Sequence, residues 1–266
     1  MTEPVVVLTC GAARVEVDLA AGARATVWRV GDLDLLGAHN AAPTGHGAFV
    51  MAPWPGRVRG NVVRHDGVAY PLSPNFGEWA IHGTVLDRRA EIVQQSANSV
   101  ETLTTFGPGW PWSGAVRHTW QLTKSALTAR LAVESDGDTF PAEVGWHPWF
   151  RRRLARGGPV RVDLPAAWML ERGADHLPTG KRVAADRPGP FDDAFFVPGG
   201  RATLEWPGAL RLDVDTDCSW VVVFDELADW VCVEPQTAAP DGLSGGFLVG
   251  PGRPRTALTT WRWTTP

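Results

Sequence analysis

The chain has 266 residues, of which 44% are hydrophobic, with a formal net charge of −4 and a pI near 6.0. This length fits one large domain or two small ones, and the apolar content is enough to bury a sizeable core. A slightly acidic chain offers no basic surface for nucleic acid or an anionic membrane, so we expect neither partner.

The amino-terminal segment lacks the pattern of a secretory signal. Glu3 stands where a signal peptide carries basic residues, and the first apolar run ends at Cys10. No apolar stretch approaches the roughly 18 residues that cross a bilayer, so we expect a cytoplasmic protein. The three cysteines form no CxxC pair, which argues against zinc and redox chemistry. Cys218 and Cys232 lie in apolar segments and are predicted to be small buried hydrophobes.

Short alternating segments, separated by 29 glycines and 22 prolines, predict strands throughout the chain. The clearest of them, in chain order, are residues 14–19, 91–96, 99–106, 127–133, 221–224 and 256–263. The second and third are expected to pair as a hairpin around Ala97-Asn98. No long segment carries a helical apolar stripe with caps. We therefore predict an all-β fold, a large antiparallel β-sandwich, in a single domain spanning residues 1–266.

Two of the seven histidines stand in distinctive surroundings. His82 precedes a glycine that lets the backbone turn beside a ligand. His147 is followed by a proline, which fixes an extended backbone, and is crowded by aromatic residues that include Trp146 and Trp149. Tryptophan offers a flat face to a sugar ring and an N–H to a hydroxyl, so we predict a sugar-binding saucer here. Taken alone, each histidine fits a structural role in the core or in a turn better than a functional one.

Glu234 is the strongest candidate among the carboxylates. It ends the apolar segment that begins at Trp230 and is followed by a proline. Desolvation at the end of a buried strand raises the pKa of a carboxyl group towards the range of a general base. A surface carboxylate at a strand end is the alternative interpretation.

Asp192 and Asp193 form a second acidic site between phenylalanines. Carboxylates accept strong hydrogen bonds from sugar hydroxyls, so we predict that this acidic site binds a sugar. A divalent metal is the competing use, although no other ligands cluster nearby in sequence. Adjacent residues of a strand face opposite sides, so we expect one member of the pair to point into a site.

Several segments, in a fixed order, resemble those of the aldose 1-epimerase (galactose mutarotase-like) family. The matching segments are residues 25–37, 53–58, 61–72, 81–83, 145–150, 191–195, 232–237 and 240–242. Two positions depart from the family pattern. Gly56 stands where asparagine is usual, and Trp149 replaces the usual tyrosine. These departures leave the identity of the sugar open.

The resemblance implies a large β-sandwich and a mutarotase, an isomerase that opens and recloses a free hexose by acid–base catalysis without metal or cofactor. By the same resemblance Glu234 is the base, His147 the acid and His82 the supporting imidazole. Arg57 and Asp192 are expected to hold other hydroxyls, and Gln236 is assigned to the binding site. An imidazole and a partly desolvated carboxylate are suited to this chemistry.

Two other functions remain open from the sequence. A hexose-6-phosphate 1-epimerase would need a phosphate clamp, for which the arginines at 151, 152, 153 and 156 are candidates, although a charge run of this kind more often forms a solvated loop. A carbohydrate-binding protein on the same fold would need neither Glu234 nor the two histidines. The sequence leaves the oligomeric state open and assigns no role to His118 or His176 beyond structure or surface.

Overall fold

The computed structural model describes residues 5–266, and residues 1–4, which include Glu3, lie outside the described part. Regular structure consists almost entirely of 23 β-strands. The helical segments in the described part are three short 3₁₀ turns, Leu19–Ala21, Arg59–Asn61 and Leu243–Gly245. None of residues 5–266 forms a helix long and apolar enough to span a membrane.

The larger sheet contains eleven antiparallel strands. In chain order they are β1 (Val5–Cys10), β2 (Ala13–Asp18), β3 (Arg24–Val30), β4 (Leu33–Asp34), β5 (Ala48–Met51), β13 (Gly145–Arg151), β15 (Trp168–Arg172), β16 (Pro178–Val183), β17 (Asp192–Phe196), β20 (Trp220–Phe224) and β21 (Trp230–Gln236). Their spatial order is β1-β2-β3-β5-β13-β21-β20-β17-β15-β16, and β4 pairs with β3. The middle of this sheet, β5-β13-β21-β20-β17, therefore collects strands from distant parts of the sequence.

The second sheet contains eight antiparallel strands in the order β14-β18-β19-β23-β11-β10-β9-β8. In chain order they are β8 (Glu91–Gln95), β9 (Ser99–Thr105), β10 (Gly114–Leu122), β11 (Ala126–Ser135), β14 (Arg161–Asp163), β18 (Arg201–Trp206), β19 (Leu210–Thr216) and β23 (Arg255–Thr264). Two small two-stranded sheets complete the described strands, namely β6 (Val62–His65) with β7 (Val68–Pro71) and β12 (Phe140–Ala142) with β22 (Phe247–Val249).

The two large sheets pack face to face over a core that is rich in tryptophan. Trp28 of the larger sheet lies edge-on to Trp261 of the second, with ring centroids 6.0 Å apart. Trp120 Nε1 donates across the core to the carbonyl oxygen of Ala23 at 2.9 Å, and Trp206 Nε1 donates to that of Arg151 at 2.9 Å. Trp120 and Trp206 thus fill large volumes while their N–H groups donate to the chain across the core, whereas Nε1 of Trp28 and of Trp261 has no partner in the described part.

This architecture confirms the predicted all-β antiparallel sandwich. Strands β8 and β9 pair antiparallel, as predicted for the hairpin around Ala97-Asn98. The segments predicted at 14–19, 127–133 and 221–224 fall in β2, β11 and β20. The alternation of apolar and polar residues is a strong signal in β2 and β11, where buried and partly exposed positions alternate along the strand. Strand β20 is continuously apolar instead, because its centre is buried on both faces.

Candidate active site

His147 and Glu234 lie side by side on neighbouring strands of the larger sheet. The register that pairs Gly145 with Gln236 and Trp149 with Cys232 places His147 across from Glu234. His147 Nε2 lies 3.2 Å from Glu234 Oε1, and both residues are buried. The predicted acid and base are therefore in direct contact.

Burial acts on the two groups in opposite directions. It raises the pKa of Glu234 well above its usual value, and the negative charge of Asp192 adds to this effect while Arg57 opposes it. Burial lowers the pKa of His147 to about 3. Both shifts favour the uncharged forms, because a low-dielectric interior penalises charge. As a pair, the two groups retain one proton across the wide pH range between these limits.

His82 is oriented by a reciprocal pair of hydrogen bonds with Gly56. The backbone N–H of Gly56 donates to His82 Nδ1 at 3.1 Å, and the backbone N–H of His82 donates to the carbonyl oxygen of Gly56 at 3.1 Å. Burial, with the nearby charges of His147 and Arg57, lowers the pKa of His82 well below its usual value. A neutral ring that accepts at Nδ1 carries its proton on Nε2, so His82 offers an N–H to a ligand.

The backbone around His82 tolerates few other residues. His82 itself has a φ of +57°, which is uncommon outside glycine. Gly83, with a φ of +80°, runs so close to Ala52 that a Cβ would lie 1.8 Å from the Ala52 carbonyl oxygen. At Gly56, where the family usually has asparagine, a Cβ would lie 2.7 Å from Pro240. Both glycines are therefore required by close approach of the chain.

Arg57 and Asp192 face each other across the same cavity, with Nη1 and Oδ2 separated by 3.5 Å. Arg172 Nη1 lies 3.0 Å from the same Asp192 oxygen. Asp193 points the other way, is almost fully buried and pairs with Arg187. Of the two adjacent aspartates, Asp192 is therefore the one that lines this cavity.

Trp149 forms a wall of the cavity, but its N–H is already used. Its Nε1 donates to the carbonyl oxygen of Thr44 at 2.9 Å, and its ring stacks between His147 and His39. The indole can therefore offer the surface of its ring to a ligand. Its N–H, which was expected to donate to a sugar hydroxyl, already donates to the backbone.

Trp146 requires a correction, because it does not line the cavity. It is fully buried on the opposite face of β13, where its Nε1 donates to His118 Nε2 at 3.3 Å and its ring lies edge-on to Trp261. Successive residues of a strand point to opposite faces, so the neighbour of His147 faces the core. The prediction that Trp146 binds substrate is incompatible with this position.

Gln236 is fully buried and lines the cavity, and neither its amide oxygen nor its amide nitrogen has a partner in the described part. Buried amides are normally hydrogen-bonded, so both atoms require a ligand or water. The cavity encloses about 250 Å³. Its lining brings together seven of the predicted site residues, namely Arg57, His82, His147, Trp149, Asp192, Glu234 and Gln236.

Other lining residues were not predicted from the sequence. A loop after β4 contributes His39, Asn40 and Thr44, and an apolar strip contributes Val222, Phe224 and Leu227. The run from Gly37 to Gly47 is short, polar and rich in glycine, which is the signal that could have identified the loop as functional. The apolar strip has no comparable signal, since its residues resemble those of any buried strand.

The arginines considered as a phosphate clamp lie away from the cavity lining. Arg152 donates to the carbonyl oxygens of Leu227 and Trp230 at 2.8 and 3.1 Å. Arg151 donates to the carbonyl oxygen of Leu36, and Arg156 pairs with Asp32. These three side chains have structural partners, and Arg153 is likewise absent from the lining. His176 is more than half exposed, with Nδ1 3.9 Å from Asp192 Oδ2.

The donor atoms of His147, Cys232 and Glu234 lie within 4.8 Å of one another, a spacing compatible with a metal ion. Burial raises the pKa of the Cys232 thiol well above its usual value, so a metal would have to displace the thiol proton in order to bind there. Three donors that include a protonated thiol fit a metal poorly. The contact between His147 and Glu234 instead brings two titratable groups close enough to exchange a proton.

Comparison with known proteins places this site in a family. The sequence profile of aldose 1-epimerases matches residues 5–242. YihR, an uncharacterized protein of Escherichia coli K12, is 28% identical over 280 residues, covering 90% of each chain.

Solved structures of low sequence identity share the fold over almost the whole chain. A protein from Escherichia coli K12 that is provisionally described as an aldose 1-epimerase has a TM-score of 0.87 at 22% identity, with 98% of this chain and 99% of that chain covered. The galactose 1-epimerase of Lactobacillus acidophilus has a TM-score of 0.80 at 16% identity, with 98% and 94% covered. Since the family profile matches well over half of the sequence, the chain belongs to the aldose 1-epimerase family.

Proposed function

We propose that this protein is an isomerase that interconverts the α and β anomers of a free aldose by acid–base-catalysed ring opening. The main support is the contact between His147 Nε2 and Glu234 Oε1, 3.2 Å apart in a cavity of about 250 Å³. Mutarotation needs one acid and one base that act together, and this pair supplies both.

In the proposed reaction, the Glu234 carboxylate takes the proton of the anomeric hydroxyl while His147 gives a proton to the ring oxygen. The bond between C1 and the ring oxygen breaks, which yields the open-chain aldehyde. Rotation about the C1–C2 bond presents the other face of the carbonyl to the ring hydroxyl. The two groups then return their protons in reversed roles and close the other anomer, so no proton is gained or lost overall.

The remaining lining residues suit the binding of sugar hydroxyls. His82 offers its Nε2–H, and the unpartnered amide of Gln236 offers a donor and an acceptor. Arg57 Nε is buried and also unpartnered in the described part. Asp192 supplies a charged acceptor, which strengthens hydrogen bonds from hydroxyl groups.

The charge balance of the cavity favours a neutral sugar over a sugar phosphate. Among residues 5–266, Arg57 is the one arginine or lysine in the lining. It shares Asp192 with Arg172, which also pairs with Glu226 at 2.9 Å, so two cations face two carboxylates. Arg151 and Arg152 donate to backbone carbonyl oxygens, and Arg153 is absent from the cavity lining. A dianionic phosphate would therefore meet little uncompensated positive charge.

Anomer exchange measured by polarimetry and NMR tests the proposal directly. Freshly dissolved α-glucose and α-galactose should equilibrate faster with the protein than in buffer, and glucose 6-phosphate should gain less. A rate advantage for the phosphate that is lost in Arg57→Gln would indicate a hexose-6-phosphate epimerase. Binding of aldoses without any acceleration would indicate a carbohydrate-binding protein and refute the enzymatic proposal.

A further inference from the structure

Arg24, at the start of β3, is completely buried in the larger sheet. Its guanidinium donates from Nη1 to the carbonyl oxygen of His46 at 2.7 Å and from Nη2 to that of Leu86 at 2.9 Å. These neutral acceptors hold the group in one orientation without neutralising its charge.

Within residues 5–266, no carboxylate lies within ion-pair distance of Arg24, and its Nε has no partner. Asp18 and Asp87 act on it only from a greater distance. Burial lowers the pKa of Arg24 to about 10, which still leaves it cationic at neutral pH. A buried charge without a counterion is costly and therefore rare, so its position requires an explanation.

The guanidinium is the first member of a stack that ends at the cavity. Arg24 Cζ lies 4.8 Å from the ring centroid of Phe49. Phe49 stacks on His147 at 4.7 Å with an interplanar angle of 17°, and His147 stacks on Trp149 at 5.3 Å and 26°. The last contact, between Trp149 and His39, has a centroid distance of 5.8 Å. The imidazole of His147 is therefore clamped on both faces.

We propose that Arg24 is a positioning residue for His147, which it serves through Phe49 by fixing the plane of the imidazole and placing a positive charge behind it. The inference rests on the proposed function, in which His147 is the acid. The cation–π contact anchors Phe49, and Phe49 in turn sets the angle at which Nε2 meets Glu234. The buried charge opposes protonation of His147, which makes the imidazolium a stronger acid towards a weakly basic ring oxygen.

Other groups around His147 also influence its protonation. Its immediate neighbours are the Glu234 carboxyl, the Cys232 thiol and the His82 imidazole, whose ring centroid lies 5.1 Å away. Arg57 and Asp192 face the same cavity. Burial is the main cause of the low pKa of His147, and the charge of Arg24 lowers it further. Removal of the Arg24 charge should leave the other neighbours in place and raise the pKa of His147.

The test is a titration of His147 in Arg24→Met by NMR of ¹⁵N-labelled histidine, with substrate absent. A charge that lies two ring spacings away inside a protein shifts a pKa by about one unit. The pH midpoint of the His147 titration should therefore rise by about that amount when the Arg24 charge is removed. The acid-side fall of kcat/KM should move upwards with it. The plateau rate is a poor readout, because the fraction of protonated His147 and its acid strength change in opposite directions.

Three further variants separate charge, contact and general destabilisation. Arg24→Lys keeps the charge and should leave the midpoint of His147 near the wild-type value. Arg24→Gln removes the charge but can still donate to one carbonyl, and it replaces Arg24→Met if that variant does not fold. Arg255→Met removes a different arginine, which is partly buried and pairs with Glu143 at 2.7 Å. It should lower stability without shifting the titration midpoint of His147.

An unchanged midpoint of His147 in a folded Arg24→Met or Arg24→Gln protein would overturn the proposal. An equal shift in Arg255→Met would do the same, since it would show a general response to destabilisation. The titration is measured in the resting protein, so it stands or falls separately from any test of mutarotation. A shifted His147 in a protein without mutarotase activity would refute only the proposed function.

Discussion

The two faces of β13 contact two histidines whose environments differ in two respects, an acidic partner and a cavity. On the core face, Trp146 donates to His118, and on the cavity face His147 meets Glu234. Burial lowers the pKa of both histidines to about 3. His118 has no acidic partner in the described part and no cavity, whereas His147 has both. A buried, neutral imidazole is thus not in itself a sign of catalysis, and the neighbouring carboxyl makes the difference.

The sharpest test of this comparison replaces two residues with glutamine in separate variants, Glu234 on the cavity side of β13 and His118 on its core side. Glu234→Gln should lower the rate of anomer exchange by about 10²–10⁴-fold, the usual contribution of general acid–base catalysis. Sugar binding should be largely retained, because the amide keeps the shape and a hydrogen-bonding capacity. Polarimetry gives the rate and calorimetric titration gives the affinity.

His118→Gln is the matched control, since the amide oxygen can accept the hydrogen bond of Trp146. It should change stability and leave the rate within about twofold of the wild type, because His118 lies in the core away from the cavity. Equal losses of rate in the two variants would remove the distinction between the faces.

The pH dependence of kcat/KM should reveal the shared proton of the cavity face. The pair needs one proton, which it holds between the low pKa of His147 and the raised pKa of Glu234. We therefore expect a flat profile in mild acid and, above the raised pKa, a fall that approaches tenfold per pH unit as the last proton is lost. A rate that falls on acidification with a midpoint near 4.5 would instead indicate an ordinary, exposed carboxylate.

Stability should also respond to pH with opposite signs on the two faces. A carboxyl whose pKa is raised on folding stabilises the protein below its unfolded pKa, and this contribution is lost as the pH rises through the folded pKa. Glu234→Gln removes this loss, so its free energy of unfolding should increase relative to that of the wild type as the pH rises from 5 to 8. At pH 5 the difference should be smaller. Urea unfolding at the two pH values measures both.

On the core face the sign is reversed. A histidine whose pKa is lowered on folding stabilises the protein above its unfolded pKa, and this contribution is lost as the pH falls towards the folded value. His118→Gln should therefore gain stability relative to the wild type as the pH falls from 7 to 4. A pH-independent difference would show that His118 is not held neutral by the core.

Period-two alternation explains both the success and the failure of the sequence predictions. It placed the hairpin of β8 and β9 and separated Asp192 from Asp193, because adjacent strand residues face opposite sides. The same rule separates Trp146 from His147. Proximity to His147 in sequence suggests a place in the sugar site for Trp146. The alternation of side chains along a strand places it in the core instead.

Other features depend on strand order, which local sequence does not encode. Glu234 and His147 are 87 residues apart in the chain, and they meet because β13 and β21 are neighbours in the sheet. Only the resemblance to a family brought them together in advance. Arg24 gives no sequence signal at all, since an arginine in a strand is normally expected at the surface.

Chelation should have the smallest effect. Dialysis against EDTA should leave the rate of anomer exchange and the melting temperature unchanged, because the proposed reaction uses only the proton held by His147 and Glu234. The Cys232 thiol beside them stays protonated, since its pKa is raised by burial and by the nearby charges of Glu234 and Asp192. A loss of activity on chelation that one equivalent of a divalent ion restores would reassign the three donors to a metal centre. The difference between the two faces of β13 would then be a bound cation rather than a shared proton.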